Sequence, residues 1–128
     1  MATIQSFREL KSYQMAREQA RILFEASKRF PRDERSSLTD QVRRSSRAVG
    51  AMIAEAWARR RYPACFINKT DEALGEAMET QCWLDHALDC GYLVPDQHTA
   101  MDEAWQNIGG KLNRMIERAD DFCKTIAR

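Results

Sequence analysis

Four cysteines and two histidines are the residues of this sequence best equipped for catalysis or metal binding. Cys82, His86 and Cys90 stand at i, i+4 and i+8, which puts them on one side of a helix. Thiolate and imidazole are zinc ligands, and a pair one turn apart can share an ion. The outer two would lie roughly 12 Å apart at 1.5 Å per residue, so one ion cannot join all three. A half-buried polar strip is the plainer reading. No CxxC pair occurs among Cys65, Cys82, Cys90 and Cys123, so the thiols are expected as small apolar fillers of a core. A di-iron bundle needs Glu-x-x-His pairs, but Trp83 precedes His86 and Pro95 precedes His98 by three. HExxH, Walker, GxGxxG and GxSxG motifs are absent. The expectation is no catalytic group, no metal and no cofactor: the chain reads as no enzyme.

Cationic side chains carry more information. Residues 1–61 hold fourteen Lys/Arg and seven Asp/Glu, while residues 62–128 hold six and twelve, although the net charge is only +1. Arg43, Arg44 and Arg47 precede a stretch rich in alanine, and Arg59, Arg60 and Arg61 follow it. Lys28, Arg29, Arg32 and Arg35 surround the first turn of the chain. Downstream, Asp71, Glu72, Glu76, Glu79, Asp85 and Asp89 form a run of the opposite sign. Two uses compete. The arginines could neutralise phosphates of RNA or DNA, or they could meet acidic surfaces of neighbouring subunits and set register.

The elements that must position these residues are helices. The 128 residues suit one domain, expected over 1–128, and 44% hydrophobic residues with five Gly and three Pro exclude a disordered or collagenous chain. Amphipathic spacing predicts helices over about 6–29, 36–61, 63–90 and 95–127, with no strand alternation. Phe30-Pro31 ends the first. Ser36 or Ser37 can cap the second. Pro63 suits the first position of the third, and Gly91 the left-handed residue past its end, with Tyr92 beside it. In the fourth, Met101, Trp105, Ile108, Leu112, Met115, Ala119, Phe122 and Ile126 alternate steps of four and three. That is the seam of a helix packed near 20° to its neighbours. Phe66, Thr70, Ala73, Ala77, Gln81, Leu84 and Leu88 repeat it in the third. The fold class expected is all-α, an antiparallel up-down-up-down four-helix bundle. Gly109-Gly110 interrupts the fourth helix, either as a tolerated weak spot or as a place where another backbone comes close. No apolar run is long enough to span a membrane, and the polar start MATIQSFREL is unlike a secretory signal, so the expected location is cytoplasmic.

With the apolar side of helix two inward, Ala48, Ala51, Ala54, Ala58 and Glu55 fall outward. Solvated faces carry long polar side chains, whereas small ones admit another helix. The face is therefore expected as an oligomer interface, and Trp57 and Trp83 at the margins of their helices fit that use. Glu55 is expected to pair with Arg44 or Arg59.

Several motifs together resemble one family. They are Phe7-Arg8-Glu9-Leu10 with Tyr13-Gln14 and Ala16; Phe30-Pro31, Glu34 and the run Leu38–Arg44; Ile53-Ala54-Glu55 with Arg59; Ala73-Leu74-Gly75-Glu76 with Glu79; and Gly91-Tyr92-Leu93. The chain resembles, over nearly its whole length, the bacterial 23S rRNA-intervening-sequence proteins, some of them encoded inside insertions in ribosomal RNA genes. It departs from the family pattern at Met52, Ala56 and Glu76. The resemblance implies a four-helix bundle that assembles into a ring-like homopentamer, with no established enzymatic activity. It also implies kinship with the accessory proteins of diversity-generating retroelements, basic pentameric barrels that bind nucleic acid and a reverse transcriptase. The function expected is a non-enzymatic homo-oligomeric adaptor that binds RNA or DNA through Arg43, Arg44, Arg47, Arg59 and Arg60. The alternative is a protein-interaction scaffold with no nucleic-acid role, its arginines consumed at subunit boundaries.

Overall fold

The computed structural model describes residues 4–123. Four long helices and one short helix follow in order: α1 Lys11–Ser27, α2 Leu38–Ala58, α3 Pro63–Asp89, α4 Pro95–Glu117 and α5 Ala119–Cys123, with no strand among the described residues. Each long helix packs against two others: α1 on α2 and α4, and α3 on α2 and α4. The result is an all-helical bundle, and no helix in it is long and apolar enough to cross a membrane.

Local chemistry sets the ends. Ser6 Oγ accepts from Arg8 N at 3.2 Å, and Glu9 Oε2 accepts from Ser6 N at 2.8 Å. This capping box closes a 3-10 turn over Phe7–Glu9 and leaves Leu10 extended, so α1 starts at Lys11 rather than near residue 6. Neither Ser36 nor Ser37 caps α2 through its side chain; the Glu34 carboxylate accepts from Leu38 N at 3.3 Å instead. The α2 helix stops at Ala58, short of residue 61. Pro63 disfavours helical backbone at Tyr62, and the chain tightens through Arg60 N to Trp57 O at 3.3 Å.

Gly91 adopts φ +77°, the left-handed conformation that glycine tolerates. Gly91 N donates to Leu88 O and Tyr92 N to Ala87 O, at 3.0 and 2.8 Å, a Schellman ending. The Tyr92 ring then packs 5.5 Å from Phe30, and its hydroxyl donates to Glu34 at 2.9 Å. One loop thus braces the start of α2 against the turn after α3. The expected single fourth helix is divided: α4 ends at Glu117, Arg118 turns the chain, and α5 carries Phe122 onto Phe66 at 5.7 Å. Ile126 and the expected continuation over 124–127 lie outside the described residues.

The core is the set of stripes read from spacing, with one shift. Met101, Trp105, Ile108, Leu112 and Met115 are all buried in α4, and the side of α2 facing them across the bundle buries Leu38, Val42, Ser46, Val49, Ile53 and Ala56, the inward apolar side that leaves Ala48, Ala51, Ala54 and Ala58 outward. In α3 the buried positions after Ala77 are Thr80, Leu84 and Ala87, while Gln81 and Leu88 are only half-buried. A 3.6-residue helix drifts against a strict heptad, and α3, flanked on one side by α2, keeps the α2-facing positions covered. Ser45 and Thr80 hydroxyls meet there at 2.9 Å, so the displaced seam holds a satisfied polar pair. The four cysteines are not core fillers: Cys65, Cys82 and Cys90 are exposed and Cys123 is half-buried. Burial and nearby Asp120 raise the Cys123 thiol above its ordinary pKa.

Candidate functional site

The arginines of α2 fall into three environments. One turn separates Arg43 from Arg47 on α2, and one turn separates Phe24 from Lys28 on α1, so the two pairs can meet. Arg43 and Arg47 guanidinium carbons lie 4.6 and 5.2 Å from the Phe24 ring centroid, and Lys28 Nζ lies 5.0 Å from it. Ser27 Oγ accepts from Arg43 Nε at 2.7 Å and so orients the guanidinium. Lys28 has Glu25 at 3.1 Å. Among the described residues, neither Arg43 nor Arg47 has a carboxylate within salt-bridge distance. A cation–π contact is worth about 0.5–1 kcal/mol at such exposed sites. Three positive heads around one ring repel one another, and an anion placed among them relieves that repulsion.

Arg44 points the other way, to α3. It pairs with Glu79 and, at 3.5 Å, with Glu76. Glu79 also accepts from Trp83 Nε1 at 3.1 Å. The local sum is one positive charge against two negative ones, which repels phosphate. At the far end of α2, roughly 24 Å along the axis from Arg43, Arg59 is exposed. Beside it, Arg60 stacks 3.8 Å over Trp57 and donates to Trp57 O at 2.8 Å. Burial lowers the Arg60 pKa. The five arginines named from the sequence therefore do not converge. Arg43 and Arg47 do, with Lys28. Sequence reasoning missed Phe24, whose only signal is its spacing of one turn before Lys28.

Beside this cation cluster runs a groove between α1 and α2, of about 450 Å³, lined by Tyr13, Ala20, Phe24, Arg47, Ala51 and Ala54 among others. Ala51 and Ala58 are exposed, and Ala48 and Ala54 half-buried. At Gly50 a Cβ would stand 3.6 Å from the Tyr13 ring, so the helices approach closely under the groove. Glu55 is exposed and pairs with Lys69 at 3.4 Å, not with Arg44 or Arg59. Arg44 is taken by Glu76 and Glu79, while Lys69 of α3 lies across from Glu55. Trp57 is buried inside the chain and Trp83 half-buried, so only the second is available at a margin.

The spacing Cys82, His86, Cys90 brings no ligand set together: all three are exposed, and His86 packs on the Trp83 ring at 5.7 Å. The structure instead gathers Asp85, His98 and Asp102, whose ligand-type atoms lie within 4.8 Å of one another. His98 Nε2 and Asp85 Oδ1 are 2.8 Å apart, and Gln81 Nε2 donates to Asp102 Oδ1 at 3.1 Å. These contacts account for the group as a tie between α3 and α4. Trp105 Nε1 and Thr39 Oγ1 are buried with no hydrogen-bond partner among the described residues. Neither lies in the groove.

Comparison with known proteins gives the following likenesses. A family model described as 23S rRNA-intervening sequence protein matches residues 8–114. A crystal structure from Bacteroides thetaiotaomicron, described as a protein with unknown function from the S23 ribosomal protein family, superposes with a TM-score of 0.75. It is 27% identical, and the match covers 83% of this chain and 95% of that one. A search of curated proteins returned no match.

Proposed function

Because the chain belongs to the 23S rRNA-intervening sequence protein family, we propose that it acts without catalysis, as a homo-oligomeric adaptor that binds RNA or DNA. The assembly is a ring-like pentamer, as resemblance to the family implies, with Ala48, Ala51, Ala54, Glu55 and Ala58 at the subunit boundary. The four long helices run up-down-up-down within each subunit. Support for that order comes from paired contacts: Arg44 with Glu79 and Glu55 with Lys69 link opposite ends of α2 and α3.

One observation carries the nucleic-acid reading: Lys28, Arg43 and Arg47 converge on Phe24, and the two arginines have no carboxylate partner among the described residues. An arginine with only its Nε engaged keeps four N–H donors for phosphate oxygens. Arg59 extends the surface, whereas Arg44 and Arg60 contribute less because their heads are already engaged. The test is fluorescence anisotropy with a labelled structured RNA and a duplex DNA at low salt. The wild type binds, and an Arg43→Gln/Arg47→Gln variant with unchanged helical circular dichroism binds at least tenfold more weakly. No binding by the wild type at low salt removes this reading.

A second reading draws on the engagement of Arg44 by Glu76 and Glu79: the charges serve packing, and the protein is an interaction scaffold. In that case Arg43→Glu, which lies outside the α1/α2 groove, breaks the oligomer instead of sparing it.

A further inference from the structure

On the side of the bundle formed by α3 and α4 stands a second apolar feature. Ile67, Leu74 and Met78 share one side of α3 with Asp71, at spacings of four, three and four. Ile67 is 37% and Met78 57% exposed, large values for apolar side chains of this size. Gly109 of α4 lies beside this ridge. A Cβ on Gly109 would lie 3.4 Å from Leu74 Cδ1, and one on Gly110 would meet nothing within 4 Å. With no side chain at Gly109, α4 is low beside α3 and the half-buried Leu74 leans over it, while Ile67 and Met78 stay exposed. Two glycines weaken a helix relative to alanine, a weakness with a purpose if a neighbouring surface must come close.

From these features we infer that the ridge of one subunit seats in the α1/α2 groove of the next. The inference rests on the assembly reading above and specifies its contact. The dimensions agree: Ile67 to Met78 and Tyr13 to Phe24 both span eleven residues, roughly 16 Å. The groove offers small and aromatic side chains to Met78, Leu74 and Ile67. The charges agree as well. Exposed Asp71 lies in the ridge, and the exposed Arg17 lines the groove. Apolar lining and an acidic ridge together favour a second copy of this chain over nucleic acid as the occupant. Because ridge and groove are different surfaces, the contact is heterologous, the type that closes into rings.

The test uses two single variants at exposed positions, Met78→Glu, which spoils the ridge, and Ala51→Glu, which spoils the groove. Sedimentation velocity is run on each and on their equimolar mixture, with circular dichroism melts to verify folding. Each variant alone is a monomer. The mixture gives a one-to-one heterodimer, because the intact ridge of Ala51→Glu docks in the intact groove of Met78→Glu. Ile67→Glu repeats the Met78→Glu result from the other end of the ridge. If either variant keeps the wild-type size, the proposed contact is wrong. If the mixture remains monomeric, the surfaces do not face each other and the inference falls while the assembly reading stands. A monomeric wild type overturns both.

Discussion

Replacing Arg43 and Arg44 separately by glutamine distinguishes a site built by tertiary structure from a simple run of positive charge. The residues are adjacent in sequence, yet Arg43 stacks on Phe24 while Arg44 faces Glu76 and Glu79. Each phosphate contact on duplex DNA contributes about −0.9 to the slope of log K against log salt. The two arginines without a carboxylate partner therefore give a slope near −1.8 per engaged subunit, or roughly a 12-fold loss of affinity between 50 and 200 mM salt. Arg43→Gln makes the slope shallower by about 0.9 for each engaged subunit, removing a factor of about 3.5 from that loss. Arg44→Gln leaves two carboxylates without their cation. It changes the slope by less than about 0.2 and weakens binding, if at all, through added negative charge. The assay is anisotropy titration of one labelled duplex at four salt concentrations, with oligomeric state checked for each variant. Equal slope changes for the two variants, or no change for Arg43→Gln, would refute the assignment of the phosphate site to the Phe24 cluster.

Trp105→Phe tests a competition in the core. The smaller ring loses roughly two carbon groups of buried surface, about 1.6 kcal/mol, but it also removes an indole N–H that is buried without a partner among the described residues, a penalty of about 1–3 kcal/mol. Chemical denaturation should therefore show a net change within about 1 kcal/mol of zero, and a loss beyond about 3 kcal/mol would mean that the N–H is satisfied. The Glu34 carboxylate, accepting from the Tyr92 hydroxyl, pushes the Tyr92 pKa up to about 12, so this tie stabilises the fold fully below about pH 10 and fades as pH rises toward 12. Phenolate absorbance, taken as the difference between wild type and Tyr92→Phe, should appear near pH 12 and move toward pH 10 in Glu34→Gln; a wild-type midpoint near 10 would contradict the contact. A colorimetric thiol reagent should react rapidly with the exposed Cys65, Cys82 and Cys90 and slowly with Cys123, whose thiol burial keeps protonated. Four equal rates would show that the end of α5 is open.

Local sequence determined most of the fold. The alternation from Met101 to Met115 defines a buried stripe whatever lies opposite, since helical period alone brings those side chains together. Pro63, Pro95 and Gly91 mark helix ends because their backbone constraints act within a few residues. Where local signals failed, a neighbour had intervened: Glu34 displaced the serines as the cap of α2, and Phe66 drew Phe122 inward beyond the bend at Arg118. Residue type alone predicts Cys82 and Cys90 inward, but the width of the covered stripe depends on which helices stand alongside, and both thiols stand in water. The arrangement of charge was decided by tertiary structure alone. Spacing treated Arg43, Arg44, Arg47, Arg59 and Arg60 as equals, whereas Arg44 finds its carboxylates on α3, 35 residues away, and Arg43 finds Ser27 and Phe24 on α1. Helical period says which side of its own axis a residue occupies; only the packing of helices against one another says what waits on that side.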